Sequence, residues 1–247
     1  MTDRPILFNA QMVRALFDDR KTQTRRVLNP QPKEMVLADQ EIMQLHKKTP
    51  YAVGDRLWVR EAWRIGAWDV KPGGGVAVDY LADNHARKEW LGGDMSDEMF
   101  ERLVSQSQSD AKKSGQLVDR YYEYAWSPGN SPCRIRPSTH MPRWASRTTL
   151  TVTDVRVQRV QDISEADAIA EGCRPFFDKE NPDKMQSPNG GEIEMLPYMG
   201  PRVAFQRLWD SINAKRGFGW DENPWVMAVN FEVKKQNIDE VCRDCKN

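Results

Sequence analysis

The sequence predicts an α+β fold: a mostly antiparallel sheet rolled into a small barrel, with helices at its ends. Three observations carry this reading. Two segments, Arg56–Arg64 and Trp225–Val233, alternate apolar and polar residues with the period of a half-buried strand. Short stretches elsewhere place apolar residues three and four apart, as amphipathic helices do. No internal repeat is visible in the 247 residues.

Taken in order, Pro5–Phe8 reads as a short strand followed by a helix. Asn9 is its N-cap, and Met12, Val13, Leu16 and Phe17 form its buried stripe. A polar turn from Asp18 to Arg26 follows, and Pro30 and Pro32 stop regular structure. Behind the turn at Gly54-Asp55, Leu57, Val59, Glu61 and Trp63 share one strand face. Glu61 there requires a cationic partner or a function, because an unpaired carboxylate among apolar residues is costly. Its expected partner is Arg26 or Lys21.

Residues from about 65 to 138 are rich in loop chemistry, such as Gly73-Gly74-Gly75, the polar stretch Ser105–Gly115 and Ser127–Pro132, with a helix expected over Asp94–Val104. They read as an insertion without an independent core. A second loop-rich insertion spans about 174–200. Thr149–Val160 is a long strand whose phase slips near Thr153-Asp154, suggesting a bulge. Ser164 caps a short helix with Ile163 and Ala168 as its staple, and Gly172 ends it. Pro201 opens a helix whose stripe is Phe205, Leu208, Trp209 and Ile212. The whole reads as one domain, 1–247, with two insertions and a flexible tail at about 235–247.

Composition narrows the function. Thirty-six basic residues balance 36 acidic ones, which argues against a generic polyanion binder while leaving room for a local basic patch. The absence of a long apolar run or a signal-like N-terminus points to a cytoplasmic protein with no membrane partner. Four cysteines do not make a disulfide framework, and Cys242-Arg-Asp-Cys245 alone is a weak zinc signal, so two reduced thiols are expected there. No P-loop, G-x-G-x-x-G, G-x-S-x-G or HExxH pattern is present, and neither cofactor nor metal is expected. Nine tryptophans serve either a compact core or stacking on flat ligands such as nucleobases.

Three constellations carry candidate chemistry. In Lys21-Thr-Gln-Thr-Arg-Arg26, a desolvated lysine can accept the proton of Thr24 while arginines stabilise an oxyanion; the alternative is a solvated basic turn. Glu171, at the negative end of a short helix, suits a general acid, or is an ordinary exposed glutamate. The segment Arg136–Arg147, containing His140, Arg143 and Trp144, can hold a planar polar ligand or a phosphate, or serves as a proline-held loop.

Seven blocks in order resemble the phage and prophage ASCH-domain proteins of the PUA-like superfamily. They are Arg4-Pro-Ile-Leu-Phe8, Lys21-Thr-Gln-Thr-Arg-Arg26, Gly54-Asp-Arg-Leu-Trp-Val-Arg-Glu61, His140-Met-Pro-Arg-Trp-Ala-Ser-Arg147, Ile163–Gly172, Leu208-Trp-Asp-Ser-Ile-Asn213 and Asn223-Pro-Trp225. The resemblance implies a PUA-like β-barrel, a fold shared with RNA-binding and RNA-modifying modules. Small bacterial members include amidohydrolases of N4-acetylcytidine. Their G-x-K-x-x-T-x-R turn places its lysine, threonine and arginine on Lys21, Thr24 and Arg26, and its glycine on Asp19; their glutamate falls on Glu171 through Asp167-Ala168-x-x-Glu171. The resemblance therefore implies an amidohydrolase of an N4-acylated cytidine or similar nucleoside. Lys21 is its base, Thr24 its nucleophile or water-orienting hydroxyl, and Glu171 the proton donor to the leaving amine. Arg26, Glu61, Trp63, His140, Arg143 and Trp144 are the candidate substrate contacts. The other readings are a non-catalytic module for RNA or modified nucleotides, and a phage protein that binds a host partner.

Overall fold

The computed structural model describes residues 2–32, 49–71, 74–86, 90–91, 95–116, 126–174 and 200–244. The chain is mixed α+β. In order it forms β1 (Asp3–Leu7), α1 (Ala10–Phe17), β2 (Gln23–Val27), β3 (Arg56–Arg60), β4 (Trp63–Trp68), β5 (Val76–Tyr80), β6 (His85–Ala86), α2 (Asp97–Lys113), β7 (Thr149–Arg159), α3 (Glu165–Ala170), α4 (Pro201–Asn213), β8 (Trp225–Lys234) and α5 (Ile238–Asp244). Among the described residues the ladders are open sheets, antiparallel wherever their register is defined except between β1 and β3. The second expected insertion lies mostly outside the described residues.

Contacts divide the chain into two compact units. The first comprises residues 1–2, 15–55 and 151–233. Here β8 lies between β7 and β2, with Thr24 opposite Val229 and Arg25 opposite Ala228. From Trp225 to Val229 every residue of β8 is buried, so the expected alternation is confined to the strand's far end; a strand flanked on both sides and covered on both faces needs apolar residues at consecutive positions. Val160, Ile163, Ala168, Phe205, Trp209, Trp220 and Val226 form its core, with Val27 packed against them. Ser164 caps α3 as expected, its Oγ accepting from the Asp167 N–H at 3.0 Å. Gly172 follows with φ +90°, a left-handed backbone that glycine adopts without penalty.

The second unit comprises residues 3–14, 56–150 and 234–247. In it β1 runs parallel to β3, pairing Ile6 with Val59. The Asn9 cap is present, with Oδ1 accepting from the Met12 N–H at 2.9 Å. Leu57, Val59, Glu61 and Trp63 are all buried, whereas Trp58, Arg60, Ala62 and Arg64 are half-buried, as their parity requires. The predicted single strand is nevertheless broken at Glu61-Ala62 into β3 and β4.

Two expectations fail here. The segment read as an insertion without a core carries β4, β5, β6 and α2, with a cluster that includes Trp63, Ile65, Trp68, Val78, Tyr80, Val104 and Met141. Its helix begins at Ser96, whose Oγ accepts from the Met99 N–H, and runs through the serine-rich stretch taken for a loop. Buried Leu103, Val104, Ser107 and Ala111 recur three and four apart, and Ser107 Oγ satisfies itself on the Leu103 carbonyl at 2.8 Å. The expected flexible tail is helix α5 over Ile238–Asp244. Ile238 and Val241 are buried three apart, and Asn237 donates to the carbonyls of Arg143, Trp144 and Ser146.

Candidate functional site

The end of α1 sets the position of Lys21. The N–H groups of Arg20 and Lys21 both donate to the Ala15 carbonyl, at 2.9 and 3.1 Å, and Asp19 takes φ +56°. That left-handed step stands where the resembling family has glycine; aspartate reaches it at modest cost. Arg20 then donates to the Gly172 carbonyl at 2.7 Å, Thr22 N–H donates to the Ala170 carbonyl, and Lys21 forms an antiparallel bridge with Glu171. Two residues 150 apart in sequence are thereby held backbone to backbone.

Their side chains meet as well. Lys21 is 0% exposed, and its Nζ donates to Glu171 Oε2 at 2.7 Å, to the Gln23 carbonyl at 2.7 Å and to the Glu171 carbonyl at 3.0 Å. Three acceptors match the three donors of an ammonium. Burial lowers the Lys21 pKa below the ordinary lysine value, against the opposing pull of Glu171, and Arg26 lowers it further. Lys21 is therefore the desolvated lysine that the sequence motif called for, and the solvated-turn alternative is set aside by its burial. Glu171 is 4% exposed, which also sets aside its reading as an exposed helix residue.

Glu171 Oε1 faces Arg25 Nη1 at 3.3 Å. Of the two motif arginines that the sequence places beside Lys21, Arg26 is the expected substrate contact, yet it is Arg25 that meets the carboxylate. In β2 successive side chains face opposite ways, so Gln23 and Arg25 share one face, Thr24 and Arg26 the other. Arg25 packs over the Phe205 ring at 5.7 Å, donates from Nη1 to Gln23 Oε1 and from Nη2 to Asp167 Oδ2 at 3.0 Å, and its buried Nε has no acceptor among the described residues. Asp167 Oδ1 further accepts from Gln23 Nε2 at 2.9 Å and Arg156 Nη2 at 3.1 Å. Burial alone would raise the Asp167 carboxyl, but the Gln23 and Arg156 hydrogen bonds and the charges of Arg25 and Arg156 bring it down to about 2. Two signals in the sequence could have found these residues: Asp167 and Glu171 lie four apart on one helical face, and Gln23 and Arg25 continue the parity of Lys21.

Thr24 is buried opposite Val229. Arg26 is half-buried; desolvation lowers its pKa, while Tyr51 and Glu171 pull it up and Arg216 pushes it down. Lys21, Thr24, Arg26 and Glu171 thus all belong to the first unit.

The remaining candidates belong to the second unit and have other partners. Glu61 is paired, but with Arg147 rather than Arg26 or Lys21: Arg147 Nε and Nη2 reach its two oxygens at 2.8 and 2.9 Å. Arg147 also holds Asp83 and lies over the Tyr80 ring at 4.1 Å. Burial raises the Glu61 carboxyl, opposed by Arg147. Trp63 is 2% exposed, packed edge-on against Trp144 with ring centroids at 5.8 Å and covered by Arg136, which makes it core rather than a stacking surface. Arg143 is engaged by Asp3 at 2.6 Å and Asp239 at 2.7 Å, so it ties β1 to α5 instead of offering a free cation. His140 is exposed at the end of a 3-10 turn, Ser138–His140.

Comparison with protein-family models, curated proteins and solved structures returns no match to this chain. Among the described residues no three His, Cys, Asp or Glu side chains group as metal ligands do, and no helix is long and apolar enough to cross a membrane. The side chains of Cys242 and Cys245 lie outside the described residues. Chemically, the first unit offers a buried amino group and carboxylate joined by a 2.7 Å hydrogen bond, just ahead of the strand that carries Thr24.

Proposed function

We propose that the chain is a PUA-like ASCH protein, its sheets rolled into that family's barrel, and that it hydrolyses the amide of an N4-acylated cytidine or a similar modified nucleoside. The observation that carries this reading is the buried Lys21–Glu171 pair at 2.7 Å. A proton moved along that bond converts ammonium and carboxylate into amine and carboxylic acid, with no change in the proton count of the pair. Burial favours the uncharged form relative to water. The free amine of Lys21 accepts a proton from a water that attacks the acyl carbon, or through such a water from the Thr24 hydroxyl, since Thr24 lies on the other face of β2 from Gln23 and Arg25. Arg26 stabilises the oxyanion. As the C–N bond breaks, Glu171 gives its proton to the leaving amine. Where Thr24 is the nucleophile, water then cleaves its ester and releases the acid.

The test is incubation with a panel of N4-acylated cytidines and cytidine RNA, read by mass spectrometry. Release of cytidine and the matching acid is expected. Lys21→Ala and Thr24→Ala should each lower turnover by at least about a hundredfold, the scale of lost acid–base help. Nucleosides bound but returned unchanged would overturn the enzyme and favour a binding module.

A further inference from the structure

The carboxylate of Asp167 is used in an unusual way for its place in a helix. It stands three residues after the cap Ser164, where a carboxylate commonly turns back to the cap's own N–H. Here its oxygens instead accept from Gln23 and Arg25 of β2 and Arg156 of β7. Arg25 is fixed between two carboxylates, Asp167 on Nη2 and Glu171 on Nη1, with its face against Phe205. The orientation leaves its buried Nε without an acceptor among the described residues. The carboxylates, not the donors of Arg25, therefore dictate how it lies.

We propose that Asp167 is a positioning residue: by anchoring Arg25 it limits Arg25 to one oxygen of Glu171, reserves the other for Lys21, and so determines where the proton shared by Lys21 and Glu171 rests. This rests on the reading of that pair as the acid–base couple. Without the Asp167 charge, Arg25 turns wholly toward Glu171, and the cluster keeps its cations while losing one of its two carboxylates, Asp167 and Glu171. Lys21 is faced by Glu171, with Arg26 and Cys173 within electrostatic range, while Arg25 and Arg156 flank Asp167 and Arg20 holds Gly172. The loss of that negative charge disfavours the Lys21 ammonium, and Arg25 then occupies the Glu171 oxygen that Lys21 uses.

The experiment is Asp167→Asn in the full chain, with the Lys21 side chain followed by NMR of protein carrying [ε-13C]lysine and kcat followed against pH. In the folded variant the Lys21 midpoint should fall by about half a pH unit or more. The acid limb of kcat should move the same way, and the plateau should drop at least about tenfold with KM little changed. Asp167→Glu keeps the charge but displaces Arg25; it should hold the midpoint while lowering kcat. An unmoved Lys21 midpoint in folded Asp167→Asn, or kcat unchanged in both variants, overturns the proposal. If the wild type releases no cytidine from any substrate, the proposed reaction falls, and the Lys21 titration still decides the role of Asp167.

Discussion

Glu61 sits in a row with Leu57, Val59 and Trp63, and Arg147 is what makes that tolerable. Strand parity alone placed the carboxylate inside and demanded a cation. The partner's identity was beyond parity, because Arg147 comes from a segment 86 residues away. The burial of Lys21 and Glu171 is consistent with residue types that the sequence singled out, whereas Arg25 is set apart from Arg26 only by its parity with Lys21, a signal that counts once 23–27 is known to be a strand. Removing one partner of a buried pair strands the other, so Arg147→Met should destabilise the protein by about 3–5 kcal/mol. Combining it with Glu61→Gln should cost less than the two single losses together, as measured by urea unfolding; additivity within about 0.5 kcal/mol would show no coupling. The pH dependence has a definite sign. Burial raises the Glu61 carboxyl in the folded state, so its ionised form costs stability above the ordinary carboxylate range. Without Arg147 that rise grows, and the deficit of Arg147→Met should shrink as pH falls and Glu61 takes up a proton.

At the level of elements, the caps and parities followed from short-range rules: Asn9, Ser164, Gly172 and the faces of β3 and β4 are where local chemistry requires them. The errors came where context overrides composition. Serines in α2 looked like a loop, yet one of them back-bonds within a helix whose apolar stripe packs on its neighbours. Asn237 holds three carbonyls, so α5 docks where a frayed tail was expected. Gly172 joins the element scale to the site. Its φ is +90°, and a Cβ there would lie 2.9 Å from the Ala15 Cβ and 3.4 Å from the Lys21 Cβ. Gly172→Ala should accordingly lower stability by about 1–3 kcal/mol and displace Lys21 from Glu171. A thermal melt and a turnover assay read the two effects, and an unchanged melting temperature would show that the exit turn of α3 has slack.

For the whole molecule, the balance of 36 basic and 36 acidic side chains bears on what it can bind. Many arginines are already committed: Arg25, Arg56, Arg143 and Arg147 each face a carboxylate, and Arg159 and Arg202 lie over Trp225 and Trp220. A surface that tracks RNA needs cations free to meet phosphates, and making 6–10 such contacts would cost roughly 10³–10⁵ in affinity between 50 and 200 mM salt. The site of the first unit is of another kind. Its cations, Lys21 and Arg25, are buried and answered by Glu171 and Asp167, so exchange with bulk ions has little hold on them. A nucleoside without phosphate displaces few counterions on entering. Its KM should therefore move by less than about threefold over the same salt range. The measurement is a KM series with one acylated cytidine and a parallel binding series with a long single-stranded RNA. Tight RNA binding that falls steeply with salt, together with no affinity for the nucleoside, would move recognition from the proposed nucleoside site to an external phosphate-reading surface.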